Sequence, residues 1–186
     1  MREKIELLSP AGDMSKLKTA FYYGADAVYI GGKSMSLRAL AGNFSDSELA
    51  EAVEYTHSIG KKIYVTVNIF ARNFDFEKLE SYLVFLEKIG VDAAIISDPG
   101  IIYLAKTVAP KLCLHLSTQA NTTNKYSVKF WKEQGVSRIV LARELSLAEI
   151  SEIHQFTPET ELEAFVHGAM CISYSGRCLL SDYLDG

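Results

Sequence analysis

Gly24-Ala-Asp-Ala27 stands between a helical pattern and an apolar run, and this junction recurs along the chain. Similar junctions occur at Gly60-Lys-Lys-Ile63, Gly90-Val-Asp-Ala93 and Gly135-Val-Ser-Arg138. A glycine after a helix supplies a left-handed C-terminal cap, and the apolar run that follows is typical of a buried strand. The repetition therefore predicts parallel strands joined by helical crossovers.

Extending this pattern in both directions predicts alternating strands and helices over the whole chain. The predicted strands are Ile5–Leu8, Ala27–Ile30, Ile63–Asn68, Ala93–Ser97, Leu114–Thr118, Arg138–Ala142 and Leu162–His167. The predicted helices cover about 14–23, 46–59, 75–89, 100–108, 124–134 and 147–156. Two capping boxes, Ser45-Asp-Ser-Glu48 and Ser146-Leu-Ala-Glu149, mark helix starts.

Seven βα units favour a TIM-like (β/α) barrel over a doubly wound sheet. Such a barrel normally has eight units. Either the barrel is irregular, or residues 1–186 are a single barrel domain from the N-terminal part of a longer protein, truncated before closure. We expect the second.

Composition narrows the class of protein. The chain has 186 residues, 48% of them hydrophobic, and a formal net charge of -4. This charge disfavours RNA contact by the segment alone, although not by a further domain. No apolar run approaches the roughly 20 residues that span a bilayer. Three cysteines in a large domain argue against a disulfide framework and favour a reducing, cytoplasmic location.

Three of the predicted strands alternate between an apolar and a polar face. Alternation places the apolar set against the helices and the polar set inside the barrel. Barrel interiors are usually filled by branched apolar residues, so a polar interior predicts a functional cavity at the carboxyl ends of the strands. An internally satisfied hydrogen-bond network is the alternative. The polar set is Tyr64, Thr66, Asn68, His115, Ser117, Gln119, Glu163, Phe165 and His167.

The loops after the strands add polar groups at the same end. Gly31-Gly-Lys-Ser34 predicts either an anion-binding nest, with Lys33 or Arg38 adding charge, or a simple turn. Arg143 and Glu144 follow the sixth strand. We expect these side chains to converge on the barrel mouth.

Two cysteines share one loop after the seventh strand. Cys171 and Cys178 are too far apart in sequence for a typical zinc knuckle, and an iron–sulfur cluster needs four ligands. Spacing alone thus leaves unligated thiols as an alternative. Cys113 precedes the fifth strand, at the opposite end of the barrel, and is predicted to be a core residue.

The segment Glu163-Ala-Phe-Val-His-Gly-Ala-Met-Cys171, continued through Gly176 and Cys178 to Ser181, resembles the signature of peptidase family U32, the collagenase-like proteins. Leu7-Leu-Ser-Pro-Ala-Gly12 and Ser117-Thr-Gln-Ala-Asn121 are also similar to that family. The resemblance covers essentially the whole chain.

The resemblance implies two kinds of activity. The family is named for collagen degradation, whereas other members are oxygen-independent hydroxylation factors for RNA bases or the ubiquinone ring. One branch forms 5-hydroxyuridine at the tRNA wobble position with prephenate as hydroxyl source. Such members hold a 4Fe-4S cluster on four cysteines, so Cys171 and Cys178 would be two of the ligands. The other two, and the tRNA contact, would come from a further C-terminal region.

The first hypothesis is therefore tRNA hydroxylation, with Glu163 and His167 as proton carriers. Its substrate pocket would be lined by Asn68, His115, Ser117, Gln119, Arg143, Glu144 and Arg38. The second is a peptidase acting on peptide substrates, which would need Cys171 near His167, since the sequence has no nucleophile elbow or HExxH helix. A third possibility is an inactive structural fragment.

Overall fold

The computed structural model describes residues 5–33, 35–36, 43–168 and 171–178. Seven parallel strands form one sheet in sequential order. The strands are β1 (Leu8–Pro10), β2 (Ala27–Gly31), β3 (Lys62–Val67), β4 (Ala93–Ile96), β5 (Leu114–Leu116), β6 (Arg138–Val140) and β7 (Glu161–Glu163). Helices follow six of them: α1 (Met14–Tyr22), α2 (Asp46–Ser58), α3 (Phe76–Ile89), α4 (Pro99–Val108), α5 (Lys125–Glu133) and α6 (Leu147–Phe156).

Local sequence signals account for where the helices begin and end. Ser45 and Ser146 each form the predicted capping box with the glutamate three residues later, which satisfies free N–H groups at the helix start. Gly90 ends α3 in the left-handed conformation, with φ 80° and ψ 37°. A glycine adopts this conformation without a steric penalty, so the junction predicted from sequence is confirmed.

Alternation along the strands separates two apolar clusters. Ile63, Val65 and Val67 of β3 belong to the larger cluster, between the sheet and the helices. Tyr64, from the same strand, belongs to a smaller cluster on the opposite face, with Ala93 and other residues of β2 and β4. The predicted assignment of inner and outer faces on β3 is thus confirmed, and the smaller cluster lines the barrel interior.

The sheet curls into a TIM-like (β/α) fold. Arg138, the first residue of β6, contacts Glu6, just before β1, and Tyr64 of β3. Because β1 and β6 are separated by four strands in the sheet order, such contacts require strong curvature. Over the residues described, β1 and β7 are the edges of the sheet and do not pair with each other.

Both edge strands differ from their predicted limits. Pairing of β1 with β2 begins at Leu8 opposite Ala27, so the strand is not Ile5–Leu8. The Leu7 N–H is instead bound by the Asp26 carboxylate, at 3.1 Å. Strand β7 ends at Glu163, four residues before the predicted end at His167.

Among the helices in the described ranges, none has the length and apolar character needed to cross a bilayer.

Candidate functional site

A charged network fills the amino-terminal end of the barrel. The Arg138 Nη1 lies 2.6 Å from Glu6 Oε1, and its Nε lies 2.7 Å from Glu161 Oε2. Tyr64 Oη donates to the same Glu6 oxygen at 2.7 Å. Burial opposes ionisation of Glu6, but hydrogen bonds from Arg138, Tyr64 and Lys62 outweigh it and lower the pKa of Glu6 to about 2. The network therefore holds a buried ion pair across the barrel.

The sequence did not predict this network. Arg138 was interpreted as the start of an ordinary apolar strand, and Glu6 as part of β1. The sequence does contain a signal for such a network, a charged residue at the start of an otherwise apolar strand. An arginine at that position is buried only when carboxylates accompany it.

His115 lies in the interior above the network. It is 5% exposed, and its ring packs edge-on against Tyr64, with 4.7 Å between ring centroids. Burial and the nearby Arg138 charge lower the pKa of His115 to about 3, so the imidazole is neutral at pH 7. Its Nδ1 has no hydrogen-bond partner among the described residues. The ring thus offers a free, buried polar atom to the interior.

Glu163 is a half-buried titratable group of the interior with one buried carboxylate oxygen. Its Oε2 is 3.6 Å from Arg138 Nη1, which is an ion-pair contact but too long for a good hydrogen bond. That oxygen has no hydrogen-bond partner within the described structure. Burial raises the pKa of Glu163, although Arg138 opposes the shift. The predicted interior position of Glu163 is confirmed, and the carboxyl group is suited to holding a proton.

The other predicted pocket residues have varied surroundings. Ser117 is buried, and its hydroxyl accepts the Gln119 N–H at 3.3 Å to start a 3-10 turn. The Gln119 Oε1 is buried without a partner in the described part of the chain. Asn68 follows β3 and is half-buried. His115 thus faces the interior from β5, and Ser117 and Gln119 follow at the carboxyl end of that strand. Within the described residues, His115 and Gln119 each have a buried atom without a hydrogen-bond partner.

Two predicted interior residues are placed differently. Phe165 is 42% exposed, and His167 is also exposed, because both follow the end of β7. Strand β7 ends before both residues, so the alternation that predicts their inward direction does not extend to them. Arg38 lies outside the described residues.

The Gly31-Gly32 turn supports the packing interpretation over an anion nest. A Cβ on Gly32 would stand 2.2 Å from Tyr82 Oη, and one on Gly31 would stand 2.9 Å from Ser36 Oγ. Neither glycine has the positive φ that a nest requires. Glycine is needed here because protein side chains occupy the space beside the turn.

The loop after β7 brings the two signature cysteines together. Both cysteines lie in the described part of this loop, and Cys171 is exposed. Hydrogen bonds from the Ser173 N–H and hydroxyl lower the pKa of the Cys171 thiol, and Cys178 adds to the effect. No group of three or more histidine, cysteine or carboxylate residues suited to a metal occurs in the described ranges. Paired thiols fit two of the four ligands of an iron–sulfur cluster.

Cys113 does not belong to this pair. It is exposed, not a core residue as predicted, and its sulfur lies 3.0 Å from Ser137 Oγ. The residue precedes β5 at the opposite end of the barrel, where strand ends meet solvent.

The cysteine loop is attached to the loops that follow β5 and β6. Arg143 donates from Nη1 to the Cys171 carbonyl at 3.1 Å and from Nη2 to the Ser173 carbonyl at 2.8 Å. Glu144 accepts the Ser175 N–H at 2.9 Å, and Asn121 donates to the Ser175 carbonyl at 2.6 Å. The thiols therefore lie at the carboxyl end of the strands. The side chains of Arg143 and Glu144, predicted to line a pocket, contact this loop.

A TIM-like fold with a two-thiol loop at the carboxyl end of its strands defines the class of protein. The model of peptidase family U32 matches residues 12–186, and the chain belongs to that family. A solved structure of a U32 peptidase superposes with a TM-score of 0.76 at 17% identity, covering 91% of this chain and 71% of the other, which supports the fold.

Two curated relatives are much more similar in sequence. The chain is 51% identical over 182 residues to tRNA hydroxylation protein P1 of Bacillus subtilis, covering 98% of this chain and 43% of the relative. It is 43% identical over 183 residues to a 23S rRNA 5-hydroxycytidine synthase of Escherichia coli, covering 98% of this chain and 27% of the relative. The chain thus spans less than half the length of each.

Proposed function

We propose that this chain is the barrel part of an RNA hydroxylation protein that forms 5-hydroxyuridine at the wobble position of tRNA. The attachment of the loop that carries Cys171 and Cys178 to the carboxyl end of the strands, through Arg143, Asn121 and Glu144, carries the proposal. The names of the two curated relatives, which specify hydroxylation of tRNA and of rRNA, support the reaction type and the RNA substrate.

The two thiols would be half of the ligand set of a 4Fe-4S cluster. Such a cluster, when bound, would supply one-electron chemistry beside the barrel mouth. The remaining ligands would come from other parts of the protein. Since the net charge of this chain is -4, other parts would also supply most of the tRNA contact.

The polar interior would bind the small co-substrate, for which we propose prephenate. The unbonded atoms of His115 and Gln119 would orient it. Glu163 would hold a proton at a carboxyl oxygen and exchange it with the bound molecule, because burial raises the pKa of Glu163. His167, exposed after β7, is the second candidate proton carrier.

A thiol peptidase would require an imidazole beside Cys171 to activate it. The groups in contact with Cys171 are instead Ser173, Cys178 and Arg143. No hydrogen bond joins Cys171 to His167 in the part of the chain that the structure describes. This geometry favours hydroxylation over proteolysis.

Nucleoside analysis of tRNA from a deletion strain tests the proposal. Deleting the gene should abolish 5-hydroxyuridine, and the wild-type gene should restore it. The Cys171→Ala variant should fail to restore it, whereas Cys113→Ala should succeed, because Cys113 lies at the other end of the barrel. Unchanged 5-hydroxyuridine in the deletion strain would reject the tRNA reaction.

A further inference from the structure

We propose that Arg143, Asn121 and Glu144 form a clamp that holds Cys171 and Cys178 as a paired, thiophilic metal-binding site before any metal is bound. The inference rests on the proposed function for its biological role, as the site that receives iron. It concerns positioning residues, since these side chains bind the loop backbone and not the metal.

Arg143 makes the largest number of clamp contacts. Besides the Cys171 and Ser173 carbonyls, it contacts the Ser175 hydroxyl through both its backbone N–H and its Nε, each at 3.2 Å. One planar guanidinium therefore binds two backbone carbonyls of the loop, at Cys171 and Ser173, and the hydroxyl of Ser175. A lysine cannot reproduce this, because its ammonium is a single point of donation without a fixed fork.

Asn121 and Glu144 hold the same turn from two sides. The carbonyl and N–H of Ser175 are bound by Asn121 and Glu144 respectively, so both backbone groups of this buried residue are satisfied by side chains. Asn121 has a left-handed backbone conformation, φ 51°, which directs the chain back from β5 toward the loop. Side chains from two other βα loops thus determine the shape of a loop that has no regular secondary structure.

Gly176 lets the loop approach closely enough for these bonds to form. A Cβ at this position would lie 2.1 Å from the Gln119 carbonyl oxygen, and the residue has φ 73°. The backbone of the cysteine loop therefore rests directly on the segment after β5. Cys171 and Cys178 lie on either side of this anchored turn, so the clamp fixes the backbone between the two thiols.

The thiol pairing can be measured with phenylarsine oxide, which bridges two neighbouring thiols and releases water. The reduced 186-residue chain should bind one equivalent, detected by mass spectrometry, and this should protect Cys171 and Cys178 from iodoacetamide. Cys113 should remain open to alkylation and serves as an internal reference. Dimercaptopropanol competes for the bound arsenical, and the concentration that displaces it gives the affinity of the protein for phenylarsine oxide.

Arg143→Gln and Arg143→Lys should each weaken capture of the arsenical by about tenfold or more, because charge-assisted bonds to the loop are lost. Asn121→Gly should weaken it less, since glycine keeps the backbone conformation while the amide is removed. Arg72→Lys is the matched control, since Arg72 is exposed and distant in sequence from the loop. It should bind like wild type.

If folded Arg143→Gln and Asn121→Gly both bind phenylarsine oxide with wild-type affinity, the clamp proposal is wrong. Urea unfolding verifies that each variant is folded, and if Arg143→Gln is not, Asn121→Gly alone decides. The arsenical assay contains no RNA, so it tests the clamp independently of the proposed tRNA reaction. Unchanged 5-hydroxyuridine in the deletion strain, together with arsenical capture that depends on Arg143 and Asn121, would contradict only the proposed reaction.

Discussion

The pKa values of two side chains in the interior are shifted in opposite directions by the same cause. Burial lowers the pKa of His115 and raises the pKa of Glu163, because in both cases it disfavours the charged form. Arg138 adds to the shift at His115 and opposes it at Glu163. At neutral pH the interior thus combines a neutral imidazole with a carboxyl group that is protonated more readily than an exposed one.

We predict that His115 makes the protein less stable as the pH falls from about 6.5. The folded-state pKa of about 3 is below the ordinary value of 6.5, so the unfolded chain binds the proton first. Stability from the neutral ring is complete above pH 6.5 and decreases toward pH 3. In urea titrations, the difference in unfolding free energy between wild type and His115→Phe should decrease by up to about 1.4 kcal/mol per pH unit.

The control for this measurement is His154→Phe, at an exposed position of α6. Taking differences between wild type and variant cancels the contributions of Glu6 and Glu163, which titrate in both proteins. A pH-independent difference between wild type and His115→Phe would show that the ring is protonated as easily in the folded protein as in the unfolded chain.

At the scale of elements, the loops after β5, β6 and β7 form one unit. Asn121 comes from the first, Arg143 and Glu144 from the second, and the cysteines from the third. Parallel strands place these loops side by side at the carboxyl edge of the sheet. The short strands therefore act as a platform that brings distant parts of the chain to the two thiols.

We predict that Gly176→Ala detaches the cysteine loop, whereas Gly168→Ala does not. Both glycines have positive φ, 73° and 130°, so alanine strains the backbone at each position. A methyl group at Gly176 would also collide with the Gln119 carbonyl, while nothing lies within 4 Å at Gly168. Tryptic cleavage after Arg177 should accelerate about tenfold or more in Gly176→Ala alone.

Equal cleavage rates in the two glycine variants would mean that backbone strain, and not the contact with Gln119, controls the loop. Urea unfolding of both variants separates local detachment from global destabilisation, because a detached loop leaves the transition of the barrel core nearly unchanged.

The helices and central strands could be predicted because their signals are local. Capping boxes at Ser45 and Ser146, the cap at Gly90 and the alternation in β3 each depend on neighbouring residues. The limits of β7 could not be predicted, because the apolar-polar alternation continues to His167 although the pairing with β6 stops at Glu163.

The site was predictable in its residue types but not in its contacts. The signature identified Cys171 and Cys178, yet the bonds from Arg143 join residues about 30 positions apart and leave no local pattern. Glu6 and Arg138 are 132 positions apart, and each taken alone resembles an ordinary charged residue at a strand end. Such pairings depend on the curvature of the whole sheet.

At the scale of the whole molecule, the Arg138 network connects the two ends of the sheet order. Glu6 precedes β1, Tyr64 belongs to β3, and Arg138 and Glu161 begin β6 and β7. The Arg138 side chain is 11% exposed, so the partners of its guanidinium compensate for most of its lost hydration. The network stabilises the curled arrangement because flattening the sheet would separate Arg138 from Glu6.

We predict that Arg138→Met destabilises the protein by about 3 kcal/mol, because it removes the cation that the half-buried Glu6 and Glu163 carboxylates share and leaves Glu6 with Lys62 as its ion-pair partner. Adding Glu6→Gln should recover part of this loss, since it removes one of the two carboxylates that lose this cation. Lys125→Met is the control, as it removes surface contacts, an ion pair with Glu152 and cation–π contacts with Tyr126 and Phe156, and should cost less than about 1 kcal/mol. Urea unfolding at pH 7 measures all four proteins. An Arg138→Met variant as stable as Lys125→Met would show that the curled sheet is held by its apolar clusters without help from the ion network.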